Sequence, residues 1–279
     1  MQHSDSSIAV VVLTHNRLHL VSKCVENVLL RTSEATREIV IWDNASTDGT
    51  AEYLASLDDP RIRVMRSEEN VGQNGYARAF RTTTSPYLIE LDDDVTDAPA
   101  QWDATMLDAY LRLPQIGFLA ANLADNPHDT AARVMYQERP HAYHTELVEG
   151  VKLKRGPVGG GCALTSRELM ERVGGFRQSS GEVFWLEDAA YIEDIAELGF
   201  EAAYLEDIEL THAGGAYYAK PTRDKHRYWK RYWTREIRKN RVKKALLLVP
   251  GVRPLNERHS WFRVAEIPEF PRGWRRYQG

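Results

Sequence analysis

The chain has 279 residues, 43% of them hydrophobic and 27% charged, with a net charge of −4. That is ordinary for a soluble globular protein and is enough for one large domain or a domain with an appendage. Its two cysteines, Cys24 and Cys162, exclude a disulfide scaffold or a thiolate metal centre, and the longest late apolar run, Ala245–Val249, is too short to span a bilayer.

The charge is divided unevenly along the chain. Residues 216–279 carry 18 Lys and Arg against 5 Asp and Glu, whereas residues 1–215 carry 18 against 35. The acidic part is expected to hold a cation, and the basic tail to meet something anionic. Both cysteines sit among apolar or small neighbours and read as buried thiols. Met1–Ser7 is polar, without the charged-then-apolar layout of a signal segment. The expectation is a cytoplasmic protein.

Ile8–Leu13 is a Val-rich apolar run, the pattern of a strand buried on both faces. The polar turn Thr14-His15-Asn16-Arg17 follows, and then Leu18, Val21, Val25, Val28 and Leu29 recur at helical spacing. A second strand, Ile39–Trp42, ends in the polar turn Asp43–Thr50, which leads into a helix near Ala51–Leu57. Ile62–Met65 reads as a third strand. Asn70–Gly75 opens a helix through Ala77 and Phe80, and Tyr87–Leu91 is a fourth strand. Strand and helix alternate over short loops, which predicts a parallel sheet covered by helices.

The fourth strand ends in three consecutive carboxylates, Asp92, Asp93 and Asp94. Adjacent like charges repel, and a hard divalent cation with oxygen ligands is the usual compensation. In an extended chain Asp92 and Asp94 face one way and Asp93 the other, so Asp92 and Asp94 can face one ion. In parallel sheets ligands bind off the carboxyl ends of the strands, where Thr14, Asp43 and the triplet would converge.

Pro99–Leu113 is expected to be a helix and Ile116–Ala120 a strand; residues 126–150 read as loops and short hairpin strands. Gly156–Leu164 holds three consecutive glycines before an apolar pair, a sign of close backbone approach to a ligand or a second chain. Glu168–Val173 is a short helix closed by Gly174-Gly175. Leu186-Glu187-Asp188 begins a helix ending at Gly199, with Glu193-Asp194 on a solvated face. Ala202–Leu205 and Ile208–Leu210 resemble two strands, the second ended by Thr211-His212. Beyond Lys220 the pattern is helical, basic and aromatic. Tyr228, Trp229, Tyr232 and Trp233 form a stripe expected first to pack on the main domain and second to meet a membrane or lipid-linked acceptor.

This order of motifs resembles the family 2 glycosyltransferases, inverting enzymes of the GT-A fold. The matching pieces are Val11–Arg17, Asp43–Thr50, Asn70-Val71-Gly72, Asp92-Asp93-Asp94, the Gly-rich stretch running to Gly174-Gly175-Phe176, Glu187-Asp188 and His212. The resemblance implies a Rossmann-like, mostly parallel sheet flanked by helices over residues 1–215, divided into a nucleotide-binding part (1–98) and an acceptor-binding part (99–215). A basic helical extension, 216–279, follows. It implies a nucleoside-diphosphate-sugar donor, most readily a UDP-sugar, bound by Thr14, Asn16, Arg17, Asp43, Asn44, Gly72, Arg78, Asp92 and Asp93. Asp94 and His212 would hold Mn²⁺ or Mg²⁺, Asp188 would be the general base, and Gly160, Gly161 and Glu187 would lie on the acceptor side. Ala190 stands where many family members carry a further acid, which leaves the acceptor open: a glycan, a lipid-linked sugar or a small molecule.

The chemistry is coherent in its own right. A cation at Asp94 would neutralise the leaving diphosphate, and one carboxylate opposite it would take the acceptor's proton, inverting the anomeric centre. By spacing alone Asp188 reads as a helix cap before a base, His212 as a strand-end histidine before a ligand, and Asp43-Asn44 as a turn. The competing functions are a nucleotidyltransferase, which would carry a Gly-rich basic phosphate loop after the first strand, and a non-catalytic nucleotide-sugar binding module. No nucleic-acid-binding motif is present. A homodimer and a peripheral membrane contact through the basic tail complete the expected partners.

Overall fold

A computed structural model describes residues 5–124, 143–180, 183–213, 234–235, 238–259 and 261. The chain divides into two compact units, Met1–Pro221 and Thr222–Gly279. In the first, β1 (Ile8–Thr14), α1 (Leu18–Arg31), β2 (Thr36–Asp43), α2 (Thr50–Ala55), β3 (Ile62–Arg66), α3 (Asn74–Phe80) and β4 (Tyr87–Asp92) follow the predicted alternation. Then come β5 (Val95–Asp97), α4 (Trp102–Arg112), β6 (Ile116–Leu123), β7 (His144–Val148), β8 (Val151–Arg155) and β9 (Cys162–Ser166). The unit is completed by α5 (Arg167–Arg172), α6 (Glu187–Glu197) and β10 (Glu201–His212).

One sheet runs in the order β3-β2-β1-β4-β9-β6-β10-β8-β7. β1 to β4 are parallel, β6 and β10 are parallel to each other, and β9 and β8 run against their neighbours. Both faces are apolar, as continuous Val and Ile runs require. Val10, Val12, Ile39, Ile41, Ile89 and Leu91 pack beneath α1, α2 and α4. The alternate residues Ala9, Val11, Val40, Leu88, Ala120 and Ala163 pack beneath α3, α5 and α6. On that second face Phe80, Phe176 and Tyr191 stack at centroid distances of 5.4 and 4.6 Å, joining α3 to α6. Cys24 and Cys162 are buried thiols.

Several sequence expectations need correction. The Gly-rich stretch ends in a full central strand, β9, because its apolar half pairs with both β4 and β6. The two strands read between Ala202 and Leu210 are one, β10, whose pairing with β6 shifts register between Leu205 and Glu209. Asp93 and Asp94 are in a turn rather than an extended end, and β5 follows at once. The α3 helix begins at Asn74 and α4 at Trp102, later than the expected Asn70 and Pro99. Asp194 is not on a solvated face: it pairs with Arg177, and its side chain is only 15% exposed.

The second unit has helical residues 238–247 and α7 (Val252–His259). The stripe at Tyr228–Trp233 lies outside the described residues.

Candidate active site

The topology delivers one rim. β1, β2, β4, β6 and β10 all end there, at Thr14, Asp43, Asp92, Leu123 and His212. Because β9 is antiparallel, it starts at that same rim, and Gly159-Gly160-Gly161 lie just before it. Leu91 pairs with Cys162, and the Asp92 amide donates to the Gly161 carbonyl at 2.8 Å.

Three donors meet at one point. β5 folds back on β10 so that Val95 pairs with His212, which sets the imidazole beside Asp94. His212 Nε2 stands 2.9 Å from Asp94 Oδ1 and 3.6 Å from Asp92 Oδ2. Ligand atoms of Asp92, Asp94 and His212 all fall within 4.8 Å of one another. Asp94 is fully buried, and neither of its carboxylate oxygens receives an aligned hydrogen bond among the described residues. Two carboxylates and an imidazole facing a common point fit a divalent cation of the Mn²⁺ or Mg²⁺ kind.

Asp93 has a separate task. Thr14 Oγ1 donates to its Oδ2 at 2.7 Å, and Arg17 Nη1 to its Oδ1 at 2.6 Å; the same guanidinium lies 3.7 Å from Asp94. Burial lifts Asp93 to about 7, with Arg17 opposing and Asp94 adding to the rise. Burial also raises Asp92, but His212, Arg17 and the Tyr76 hydroxyl outweigh it and hold its carboxyl below the usual range.

Asp43 is buried at the end of β2. Its Oδ1 accepts from the Ser46 amide, while its Oδ2 has no hydrogen-bond partner among the described residues and lies 3.5 Å from the exposed Arg66. Asn44 is a brace: its amide oxygen accepts from Trp42 Nε1 and the Val71 amide, and its Nδ2 donates to the Gly72 carbonyl. Asn16 accepts from the Thr47 amide at a left-handed φ of 51° and so ties the first two rim loops together. Gly72, with φ 57°, packs so tightly on the Val183 carbonyl that a side chain there would collide with it. Arg78 is the exposed residue of an otherwise buried α3. It lies about 200° around the helix from Tyr76, whose hydroxyl reaches Asp92, and so points away from the acids.

The loop before α6 is fastened to the start of α3. Asn74 and Ser179 exchange two hydrogen bonds of 2.8 and 2.9 Å, and the Gln73 amide donates to Val183. This places Glu187 and Asp188 in the first turn of α6, beside the Gly-rich stretch. Asp188 is more than a cap of its own helix. Its Oδ1 accepts from the Ala189 amide, but its Oδ2 accepts from the Gly160 amide at 2.6 Å. Burial raises Asp188, and those two amides partly offset the rise. A Cβ on Gly160 would stand 3.5 Å from Asp188 Cβ, and one on Gly161 3.6 Å from Asp92 Oδ2. The Gly160-Gly161 pair thus separates Asp188 from the cation cluster, and its close approach is to the chain's own carboxylates.

Sequence reasoning missed Glu90. It lies two residues before Asp92 on the same face of β4, is 3% exposed, and touches the Gly160 position. A charged residue inside the apolar run Tyr87–Leu91 was the signal available.

A mostly parallel sheet with helices on both faces and an acid and imidazole cluster on its carboxyl rim defines a GT-A type fold. Residues 9–174 match Glycosyl transferase family 2, and the chain belongs to that family. Over 214 residues it is 25% identical to an N-acetylglucosaminyl-diphospho-decaprenol L-rhamnosyltransferase of Mycobacterium tuberculosis, covering 64% of this chain and 67% of the relative. Its fold is similar to mannosyltransferase PcManGT from Pyrobaculum calidifontis, solved with GDP-Man and Mn²⁺. There the TM-score is 0.52 and the identity 24%, over 84% of this chain and 60% of that one. Glucosyl-3-phosphoglycerate synthase from Mycobacterium tuberculosis, solved with Mn²⁺, UDP and glucosyl-3-phosphoglycerate, gives a TM-score of 0.50 and 17% identity, over 72% and 70% of the chains. The chain therefore spans about 60% of the length of the mannosyltransferase it matches.

Proposed function

We propose that the protein transfers a sugar from a nucleoside-diphosphate sugar, a UDP-sugar first, to an acceptor hydroxyl with inversion at the anomeric carbon. The observation that carries this is the meeting of Asp92, Asp94 and His212 at one point, with Asp188 held just across Gly160-Gly161. Asp92, Asp94 and His212 would hold Mn²⁺ or Mg²⁺, which when bound supplies Lewis-acid neutralisation of the leaving diphosphate. Asp43, whose buried Oδ2 at the end of β2 receives no hydrogen bond among the described residues, would accept one from the base. Thr14 and Arg17 would keep Asp93 in place and turn the guanidinium toward Asp94.

Asp188 would take the acceptor's proton. Its amide contacts fix the carboxylate, and its raised proton affinity brings it closer to that of the hydroxyl it must serve. The GDP-Man and Mn²⁺ of the mannosyltransferase, and the UDP and Mn²⁺ of the glucosyl-3-phosphoglycerate synthase, support the donor class. The test is a thermal-shift series with UDP, GDP and dTDP, each with and without Mn²⁺. A ligand that binds only the native state raises the midpoint. The expected result is a nucleotide shift that depends on Mn²⁺; equal midpoints throughout would refute the reading.

The second unit supports an acceptor at a membrane surface. Val242, Leu246 and Val249 are exposed along helical residues 238–247 and just beyond, flanked by Arg238, Lys239, Arg241 and Lys244. Among the described residues no helix is long and apolar enough to cross a membrane. Flotation of the full chain with vesicles containing phosphatidylglycerol, but not with pure phosphatidylcholine, is expected. Absence from both would leave a soluble acceptor.

A further inference from the structure

We propose that Glu90 is a specificity-determining residue that reads a hydroxyl of the transferred sugar; this rests on the glycosyltransferase reading above. Glu90 lies within a cross-strand row whose pairings run Val40, Val11, Glu90, Ala163, Ala120 and Tyr204. Its neighbours on both sides are apolar. A carboxylate in that row is costly to bury, and a fold-only role would place a valine there or supply a partner. Among the described residues no ion pair reaches Glu90, and its Oε2 is shut from solvent without a hydrogen-bond partner.

The direction of the side chain is set by the strand. Residues two apart share a face, so Glu90 lies below Asp92, on the side covered by α3 and α6. Its Oε1 abuts Gly160, whose amide holds Asp188 at 2.6 Å, and any side chain at Gly160 would displace it. Glu90 is thus beside Gly160, between the cation cluster and Asp188, and a sugar whose anomeric carbon faces Asp188 would lie over this part of the rim. Its cross-strand partner Ala163, and Ala120 beyond it, are small and leave room beside the carboxylate. On the far side the Tyr204 hydroxyl is taken up by the Gly159 amide at 2.9 Å.

A sugar presents several hydroxyls around one ring, and a buried acceptor discriminates sharply against an epimer or deoxy sugar that cannot satisfy it. Glu90 therefore selects among sugars carried on the same nucleotide and is indifferent to the nucleotide itself.

The test is calorimetry on the full chain with Mn²⁺, using UDP-glucose, UDP-galactose, UDP-N-acetylglucosamine and GDP-mannose, each against its free nucleoside diphosphate. Glu90→Leu is expected to weaken the nucleotide sugar that wild type binds most tightly by about tenfold to a hundredfold, and to leave the free diphosphate within about twofold. Its unfolding midpoint should equal or exceed that of wild type, since no partner is lost. Glu90→Gln keeps the shape and one acceptor oxygen, should give a smaller loss of the same kind, and decides the matter if Glu90→Leu fails to fold. Unchanged preference among sugars in both variants overturns the proposal. So does a parallel loss of sugar and diphosphate binding with a lowered midpoint, which marks a structural residue. A wild type that binds none of these donors fails the glycosyltransferase reading itself.

Discussion

Two groups of acids share the rim and are handled in opposite ways. Asp92, Asp93 and Asp94 are met by Arg17 and His212, with the Tyr76 and Thr14 hydroxyls adding hydrogen bonds. Glu90, Glu187 and Asp188 have no ion pair among the described residues; backbone amides are the partners of Asp188. The outcome differs accordingly. Asp92 is held below the usual carboxylate range, whereas burial raises Glu90, Glu187 and Asp188 above it. Asp92 is thus held charged at the cation point, Asp93 beside it is lifted to about 7, and the acids across Gly160-Gly161 are set to accept a proton.

The harshest way to break the comparison is at Asp94. Asp94→Asn keeps the shape and removes one negative ligand, and transfer should fall to background, with Mn²⁺ titration of activity as the check. Full activity of that variant at low Mn²⁺ would end the assignment. At Asp188 the substitution Asp188→Asn should lower kcat by roughly 10²-fold or more. The wild-type rate should also show an acid limb above the ordinary aspartate range. The base works deprotonated and its proton affinity is raised, so activity is lost as pH falls through that raised value. A profile flat down to the ordinary aspartate range would contradict this.

Asp43→Ala should weaken UDP by about 1.5–3 kcal/mol, the range for a hydrogen bond to a charged group. Calorimetry with no change in affinity would remove Asp43 from the nucleotide site.

The smallest expected effect is at Glu187. Burial, Asp188 and Glu90 raise it well above its usual range; Asp92 on β4 and Tyr76 on α3 also face it. A carboxyl with a raised folded-state value adds stability below its unfolded value and loses it as pH rises through the raised one. Glu187→Gln should therefore match wild type in acid and exceed it at neutral pH, by about 2–4 °C in midpoint. A variant less stable at neutral pH would show that Glu187 holds a structural contact.

What the sequence revealed follows from locality. β1 to β4 are Val- and Ile-rich runs ended by polar turns, and their rim residues Thr14, Asp43 and Asp92 can be read one strand at a time. β9 was hidden because Gly159–Gly161 gives its opening the look of a loop, and its strand character comes from β4 and β6 on either side. The nearness of His212 to Asp94 was expected from the resemblance, but the device that achieves it, β5 folding onto β10, is only three residues long. Arg78 illustrates the converse. The resemblance implies a nucleotide-binding role for it, and a helical rotation of two residues from Tyr76 sets it apart from the acid cluster, a placement that the motif order does not reveal. Glu90 meets Gly160 across 70 residues of chain, and no local pattern announces such a meeting.

The most direct measurement is Mn²⁺-dependent UDP binding and sugar transfer, taken side by side in Asp94→Asn and Asp188→Asn. If the two acid groups divide the work as described, Asp94→Asn loses both, whereas Asp188→Asn keeps wild-type UDP binding and loses transfer. Equal losses of UDP binding in the two variants, or an Asp188→Asn enzyme that still turns over near the wild-type rate, would contradict the account.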